Sequence, residues 1–311
     1  MKFFIGGEDC GSDIRSFLTN KLELSRRAIS ALKNNEKGIV LNNKRVTVRA
    51  ILSEGDVLEL TLEEDGYEDG DLVPIPIDIP IDVIYEDEAL TVVNKPYGMP
   101  TILSHGHYDD TLANALAFRY RDKSFVMRAV NRLDRDTSGI CLVANSRRSA
   151  HILGEQMQRK EIRKRYVAIL EGYLESDGSY KSIKTRIRRC DQSTIMREVT
   201  DDISSPEAHT LYRVLAYGDR YTAVVAEPIT GRTHQLRVHF SYLGYPILGD
   251  TMYGNPSDIL QRQALHAFEI SFVHPYTKSP ITLESEIPDD ILNAARTDNI
   301  DLSLSCLGSK L

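Results

Sequence analysis

Residues 128–144, RAVNRLDRDTSGICLVA, alternate charge through Arg132, Asp134, Arg135 and Asp136, stop at Ser138-Gly139 and run into the apolar ICLVA. Asp136, Thr137, Ser138 and Gly139 are turn formers, and 140–144 has the length and composition of a buried strand. The charged residues therefore fall on a loop feeding a sheet. Loops held by a rigid sheet are where reactive groups collect. In that company Asp136 has an ordinary task open to it, an Asx-type turn that satisfies backbone N–H groups. Asp134 lies between Arg132 and Arg135, which would hold it ionised and bring phosphate to it.

Working outward, strand-like runs at 83–84, 90–93, 166–170 and 222–226 mix irregularly with helical patterns at 146–160 and 234–243. This mixture predicts an α+β fold, with flanking helices around a mixed, largely antiparallel central sheet. Ahead of it, DIRSFLTNKLELSRRAISALKNN reads as two short helices with Ser25 as an N-cap. GIVLNNKRVTV reads as a hairpin about Asn42-Asn43, and GDVLELTL as a further strand. The predicted organisation is a small α+β unit over 1–64, an acidic Gly/Pro-rich linker over 65–80, a large domain over 81–290 and a loosely held tail over 291–311.

The chain has 311 residues, 41% hydrophobic and 27% charged, which is enough to bury a sizeable core. No run approaches the ~18 to 20 apolar residues of a membrane span, and the N-terminus lacks a signal-peptide apolar region, so a cytoplasmic protein with no membrane partner is expected. The cysteines Cys10, Cys141, Cys190 and Cys306 form no C-x-x-C pair, which argues against a disulfide scaffold or a thiolate metal site. The net charge of −7 hides a segregation: residues 65–100 carry 1 basic and 9 acidic side chains, whereas 101–200 carry 19 and 12. Such a basic middle can attract phosphates whatever the overall sign.

Three further segments carry chemistry. In EPITGRTHQLRVHFSYLGYP, Thr233 is positioned to cap a helix with Leu236, Phe240 and Leu243 on its apolar face and Arg237 on the face of His234 and Ser241. His234 and His239 are five apart, off the i, i+4 spacing of a helical zinc pair, so no metal is predicted. In QRKEIRKRYVAILEG, Lys164 and Arg165 lead into a strand at Tyr166; this is either a basic approach to a stacked base or a solvated turn beside a half-buried ring. KSIKTRIRR repeats the basic alternation. Arg26, Arg27, Lys44 and Arg45 form either a solvated face or an RNA-facing one.

NRLDRDTSG, KRYVAILEG, GRTHQLRVH, LGYPILGDTMYG and LHAFEISFVHP, with EDEALTVVNKPYGMPT and HGHYDDTLANAL ahead of them, resemble in content and order the RluA-type family of RNA pseudouridine synthases. The first sixty-odd residues resemble the small RNA-binding domain, named after a small-subunit ribosomal protein, that many members carry. The resemblance implies an isomerase acting on ribosomal or transfer RNA through an active-site cleft, as a monomer and without a cofactor. It makes Asp134 the catalytic aspartate, Tyr166 the aromatic residue against the target base and Arg237 the ion-pair partner of Asp134. Arg132 matches the arginine that fills the space of a flipped nucleotide. Asn131, Arg135, His107, Lys164, Arg165, Arg232, His234, Arg26, Arg27 and Lys44 become candidate RNA contacts. Two positions depart from the family: Asn131 stands where His is common, and Ile102-Leu103 where His-Pro is common. Asn still donates and accepts hydrogen bonds, so altered substrate contact is expected there.

Two other classes compete. A non-catalytic RNA-binding or assembly factor would have no reason to retain Asp134, Tyr166 and Arg237 together. A glycoside hydrolase wants two carboxylates flanking the bond, and only Asp136 stands near Asp134.

Overall fold

The computed structural model describes residues 2–22, 24, 26–61, 72–123 and 125–302. Its first sheet is built from β1 (Lys2–Phe4), β2 (Ile39–Leu41), β3 (Lys44–Arg45) and β4 (Val57–Leu60), in the order β1-β4-β2-β3. The β2–β3 hairpin turns at Asn42 and Asn43, whose φ values of 51° and 64° are those a two-residue hairpin of right-handed strands demands. One face of the sheet is closed by α1 (Ile14–Ser16), the π turn Phe17–Lys21 and α2 (Arg26–Asn34), through Ile14, Leu18, Leu32, Leu52 and Leu58. Asp13 starts α1 by accepting from Ser16 N at 2.7 Å. The proposed Ser25 cap lies outside the described residues.

The second sheet holds β5 (Asp82–Glu86), β6 (Leu90–Lys95), β7 (Arg128–Ala129), β8 (Ser138–Ala144), β9 (Arg163–Glu171), β10 (Lys181–Arg189), β11 (Arg197–Thr200), β12 (Glu207–Tyr217), β13 (Tyr221–Pro228), β14 (Leu265–Val273) and β15 (Pro280–Glu284). The order is β11-β10-β12-β13-β9-β14-β8-β6-β5, with β15 on β14 and β7 on β8. Every pairing is antiparallel except β14 with β8, so the sheet is the mixed, largely antiparallel one that the pattern predicts. The helices are α3 (Leu112–Arg119), α4 (Arg147–Gln158), α5 (Gln235–Tyr242) and α6 (Asp289–Thr297). Both α3 and α4 begin with a capping box, Thr111 with Asn114 and Ser146 with Ser149.

The register at β14 places the site. Ala267 pairs with Gly139 of β8 on one side and with Tyr166 of β9 on the other, so the aspartate loop and the tyrosine lie one strand apart. Gly139 is held at φ 114°, and a Cβ there would come within 2.2 Å of Ala267 O; no other residue fits.

Two expectations are corrected. Residues 62–71 lie outside the described set, but the rest of the expected linker is attached: Asn114 donates from Nδ2 to Ile75 O at 2.9 Å, and Ile79 packs on the large core. Nor is 291–302 a loose tail. Ile291, Ala294, Ala295, Ile300 and Leu302 are core residues, and the buried Asp298 accepts Arg220 N and Tyr221 N of the β12–β13 turn. The apolar spacing of α6 is masked in sequence by polar neighbours, which cap the helix end and that turn. Residues 303–311 lie outside the described set.

Candidate active site

Asp134 sits on the 130–137 loop, which neighbouring segments clamp from several sides. Thr101 Oγ1 donates to Leu133 O at 2.8 Å and accepts Leu133 N at 3.1 Å. Lys95 Nζ donates to Arg135 O, as well as to Pro96 O and Met99 O, and is fully buried. Arg262 Nη1 reaches Asp136 O at 3.3 Å while its other nitrogens grip Asp290 of α6, and Gln263 Nε2 donates to Thr137 Oγ1. Ser138 Oγ meets His266 Nδ1 at 2.9 Å. A loop so held presents the Asp134 carboxylate with little conformational freedom, which is what a reacting group requires.

Arg237 Nη1 donates to Asp134 Oδ2 at 3.2 Å. Its stronger partner is Asp250, which takes Nε at 2.7 Å and Nη2 at 2.8 Å and is completely buried. Burial opposes the guanidinium charge, but the hydrogen bonds and charges of Asp250 and then Asp134 outweigh it and hold Arg237 above its ordinary range. Asp134 keeps 26% of its side-chain surface open, against 8% for Arg237. The Tyr253 ring lies 5.0 Å from the guanidinium carbon, and its hydroxyl meets His234 Nδ1 at 2.8 Å. His234 Nε2 is 3.9 Å from Asp134 Oδ2; burial lowers the pKa of this imidazole and favours its neutral form. The α5 face carrying His234, Arg237 and Ser241 is therefore the one turned to residues 250–253, where Ser241 Oγ donates to Tyr253 O. Leu236 and Phe240 are buried on the opposite side and Leu243 is half-buried. The expected Thr233 cap is not formed: His234 is the cap residue, in the left-handed region at φ 57° and without a side-chain cap bond.

Tyr166 is 7% exposed on β9, and burial, reinforced by the charge of Asp134, raises its phenol above the ordinary range. It is a neutral phenol at physiological pH.

The other candidates divide. Arg132 is exposed, and His107 pairs with Asp110 at 2.7 Å near the surface. Arg232 is exposed and donates to Glu207 O; Lys44 is exposed on β3. The side chains of Arg26 and Arg27 lie outside the described residues. Three assignments are corrected. Asn131 faces into the sheet, where Nδ2 donates to Ile140 O at 3.0 Å and Oδ1 accepts Leu142 N at 2.7 Å, so it supports β8. Arg165 is buried against Glu269 at 2.9 Å, and Lys164 is buried with Nζ 3.7 Å from Met157 Sδ. In a strand buried from Lys164 to Leu170, charged side chains need partners inside the protein; among the described residues Arg165 finds a carboxylate, whereas Lys164 has only a thioether sulfur, and burial pulls its pKa down. Asp136 also departs from its expected turn bond. Its carboxylate pairs with Arg135, and the turn is closed by Thr137 N on Asp134 O.

Sequence reasoning did not assign Asp250, Tyr253, Lys95 or Thr101. Asp250 and Tyr253 stand in LGYPILGDTMYG and Lys95 in NKPYG, segments quoted for their resemblance with no partner named. A buried arginine that needs a second carboxylate was the available signal. Among the described residues no cluster of three or more His, Cys, Asp or Glu side chains is arranged to hold a metal ion.

A family model described as RNA pseudouridylate synthase matches residues 89–242. The chain is 35% identical over 282 residues to YjbO of Bacillus subtilis, named an uncharacterised RNA pseudouridine synthase, covering 90% of this chain and 97% of that one. It is also 35% identical to the ribosomal large subunit pseudouridine synthase D of Xylella fastidiosa, covering 84% and 82%. The human RNA pseudouridylate synthase domain containing 1 superposes with a TM-score of 0.59 at 27% identity, covering 78% of this chain and 96% of that chain. With the ordered motifs and the mixed sheet, these likenesses establish that the chain belongs to the RluA-type family of RNA pseudouridine synthases, isomerases that act on RNA.

Proposed function

We propose that the protein isomerises specific uridines in structured ribosomal or transfer RNA, flipping each target nucleotide into the site and using Asp134, Tyr166 and Arg237 for the chemistry. The observation that carries this reading is the Asp134–Arg237 contact of 3.2 Å, a partly open carboxylate fixed by a buried guanidinium. In the reaction the N1–C1′ bond breaks with its electron pair going to N1. The Asp134 carboxylate either adds to C1′ or stands against the positive charge developing there. The uracil turns over, C5 bonds to C1′, the C5 proton leaves and N1 is protonated, so the formula is unchanged. Tyr166 packs its ring against the base. Because its phenol stays neutral, its hydroxyl takes the C5 proton only while passing its own on.

Arg132, exposed beside Asp134, takes the place of the flipped base, and Arg135, Arg232, His107 and His234 approach the flanking backbone. The unit over residues 2–60 holds RNA through Lys44 and its neighbours and supplies no reactive group. Relatives named for the ribosomal large subunit support a ribosomal target. On this reading the protein works in the cytoplasm as a monomer. The test is to map pseudouridines in cellular ribosomal and transfer RNA with and without the protein, alongside tritium release from RNA labelled at uracil C5. Unchanged RNA would leave a binding factor, and free uracil a hydrolase.

A further inference from the structure

Arg237 contacts Asp134 through one nitrogen but Asp250 through two, and the Asp250 carboxylate is wholly buried. Asp250 is itself fixed, since its Oδ1 accepts Met252 N at 3.1 Å and Tyr253 N at 3.2 Å. The turn carrying it is tied back to α5 by Ser241 Oγ on Tyr253 O and by the Tyr253 hydroxyl on His234, and to β11 by Arg197 N on that same hydroxyl. The guanidinium is thus held in plane on one edge and against a ring on one face, independently of Asp134.

We propose that Asp250 is a positioning residue for the isomerisation, acting by fixing Arg237 so that a single N–H is offered to Asp134. The proposal rests on Asp134 being the reacting carboxylate. Two carboxylates then share one cation. Arg237 is largely neutralised by Asp250, and its remaining bond to Asp134 Oδ2 orients the aspartate without fully compensating its charge. Among the described residues Asp134 Oδ1 accepts no hydrogen bond, and this is the oxygen left for the sugar. Without Asp250, the guanidinium loses its orientation and gives its whole charge to Asp134, and both changes slow the reaction. Neither bears on RNA affinity, because Asp250 is out of reach of any ligand.

The test is a cycle of Asp250→Asn, Arg237→Met and the double variant, read by single-turnover rate and RNA affinity on folded protein. Asp250→Asn should slow the reaction about tenfold or more with affinity within about twofold, and should add less than about twofold to Arg237→Met. Wild-type rate in either single variant, or penalties that multiply in the double, would overturn the proposal. A second measurement does not depend on Asp250→Asn folding. In Asp134→Asn, the Arg237 Nε–H nitrogen resonance should remain slow to exchange, because Asp250 alone holds it; fast exchange there would also overturn the proposal. Turnover by Asp134→Asn would instead remove the underlying reading, a separate result.

Discussion

Arg135 forms a bidentate pair with its own neighbour Asp136, Nε to Oδ1 at 3.0 Å and Nη2 to Oδ2 at 2.9 Å, and leaves the Asp134 carboxylate to the hydrogen bond from Arg237. Two aspartates two residues apart are thereby separated in chemistry. Asp136 points to an exposed arginine, where an ion pair contributes at most about 1 kcal/mol. Asp134 points to a buried one, beneath which a second carboxylate waits.

Asp134→Asn is close to isosteric but cannot be an anion, so it should abolish turnover while folding and RNA binding survive. Asp136→Asn should keep most of the activity. Tritium release from C5-labelled RNA, beside a binding assay on both variants, decides the point; an active Asp134→Asn beside a dead, folded Asp136→Asn would reverse the assignment.

Tyr166→Phe retains the ring on β9 and removes only the hydroxyl. If that hydroxyl, which burial holds further towards its protonated form, relays a proton as proposed, its loss should lower turnover by about 10²-fold or more with RNA affinity little changed. Near-normal turnover would reduce Tyr166 to a packing surface.

The sheet class and the loop-to-strand junction at Gly139 were legible in sequence because turn residues and a buried apolar run are local signals. So were the α5 faces. What was hidden was pairing across the fold. Asn131, Lys164 and Arg165 look like exposed polar groups in basic segments, yet their partners stand 9, 7 and 104 residues away, at Ile140, Met157 and Glu269. Asp250 was hidden for the same reason. Nothing near Arg237 in the chain says that its main partner lies beyond the Gly244 turn. The core role of 291–302 was obscured by its polar spacing.

Asn131 bonds both neighbours of Cys141 on β8, and Asn131→Ala would leave Ile140 O and Leu142 N buried without those partners. A loss of about 2 to 4 kcal/mol in stability is expected. Denaturant unfolding checks it. A loss under about 0.5 kcal/mol would mean that the strand finds other partners.

Lys44 and Arg45 are exposed on the β2–β3 hairpin, so reversing them should not disturb the small core. In the full chain, Lys44→Glu with Arg45→Glu should weaken RNA binding and flatten its salt dependence, while the rate at saturating enzyme is kept. Affinity and salt slope equal to wild type, in a folded variant, would remove RNA contact from this hairpin.

His239 stands two residues from Arg237 on α5, wholly buried, with Nδ1 at 2.9 Å from Thr210 Oγ1 and Nε2 at 2.9 Å from Thr185 Oγ1. Burial, with His209 nearby, pulls its pKa down to about 4, against about 6.5 in an unfolded chain. The unfolded chain therefore binds more protons between those values. The stability from keeping His239 neutral is complete above pH 6.5 and declines as pH falls towards 4. Over the interval from pH 7 to 4.5 the decline attributable to this group is about 2 to 3 kcal/mol. His239→Gln keeps polar contacts to the two threonines and cannot titrate, so its unfolding free energy should fall less over that interval, by the same amount. Because α5 carries Arg237, acid loosening of the helix should also lower wild-type activity more steeply than that of His239→Gln. Equal pH slopes in the two proteins would show that His239 takes up its proton without leaving the fold.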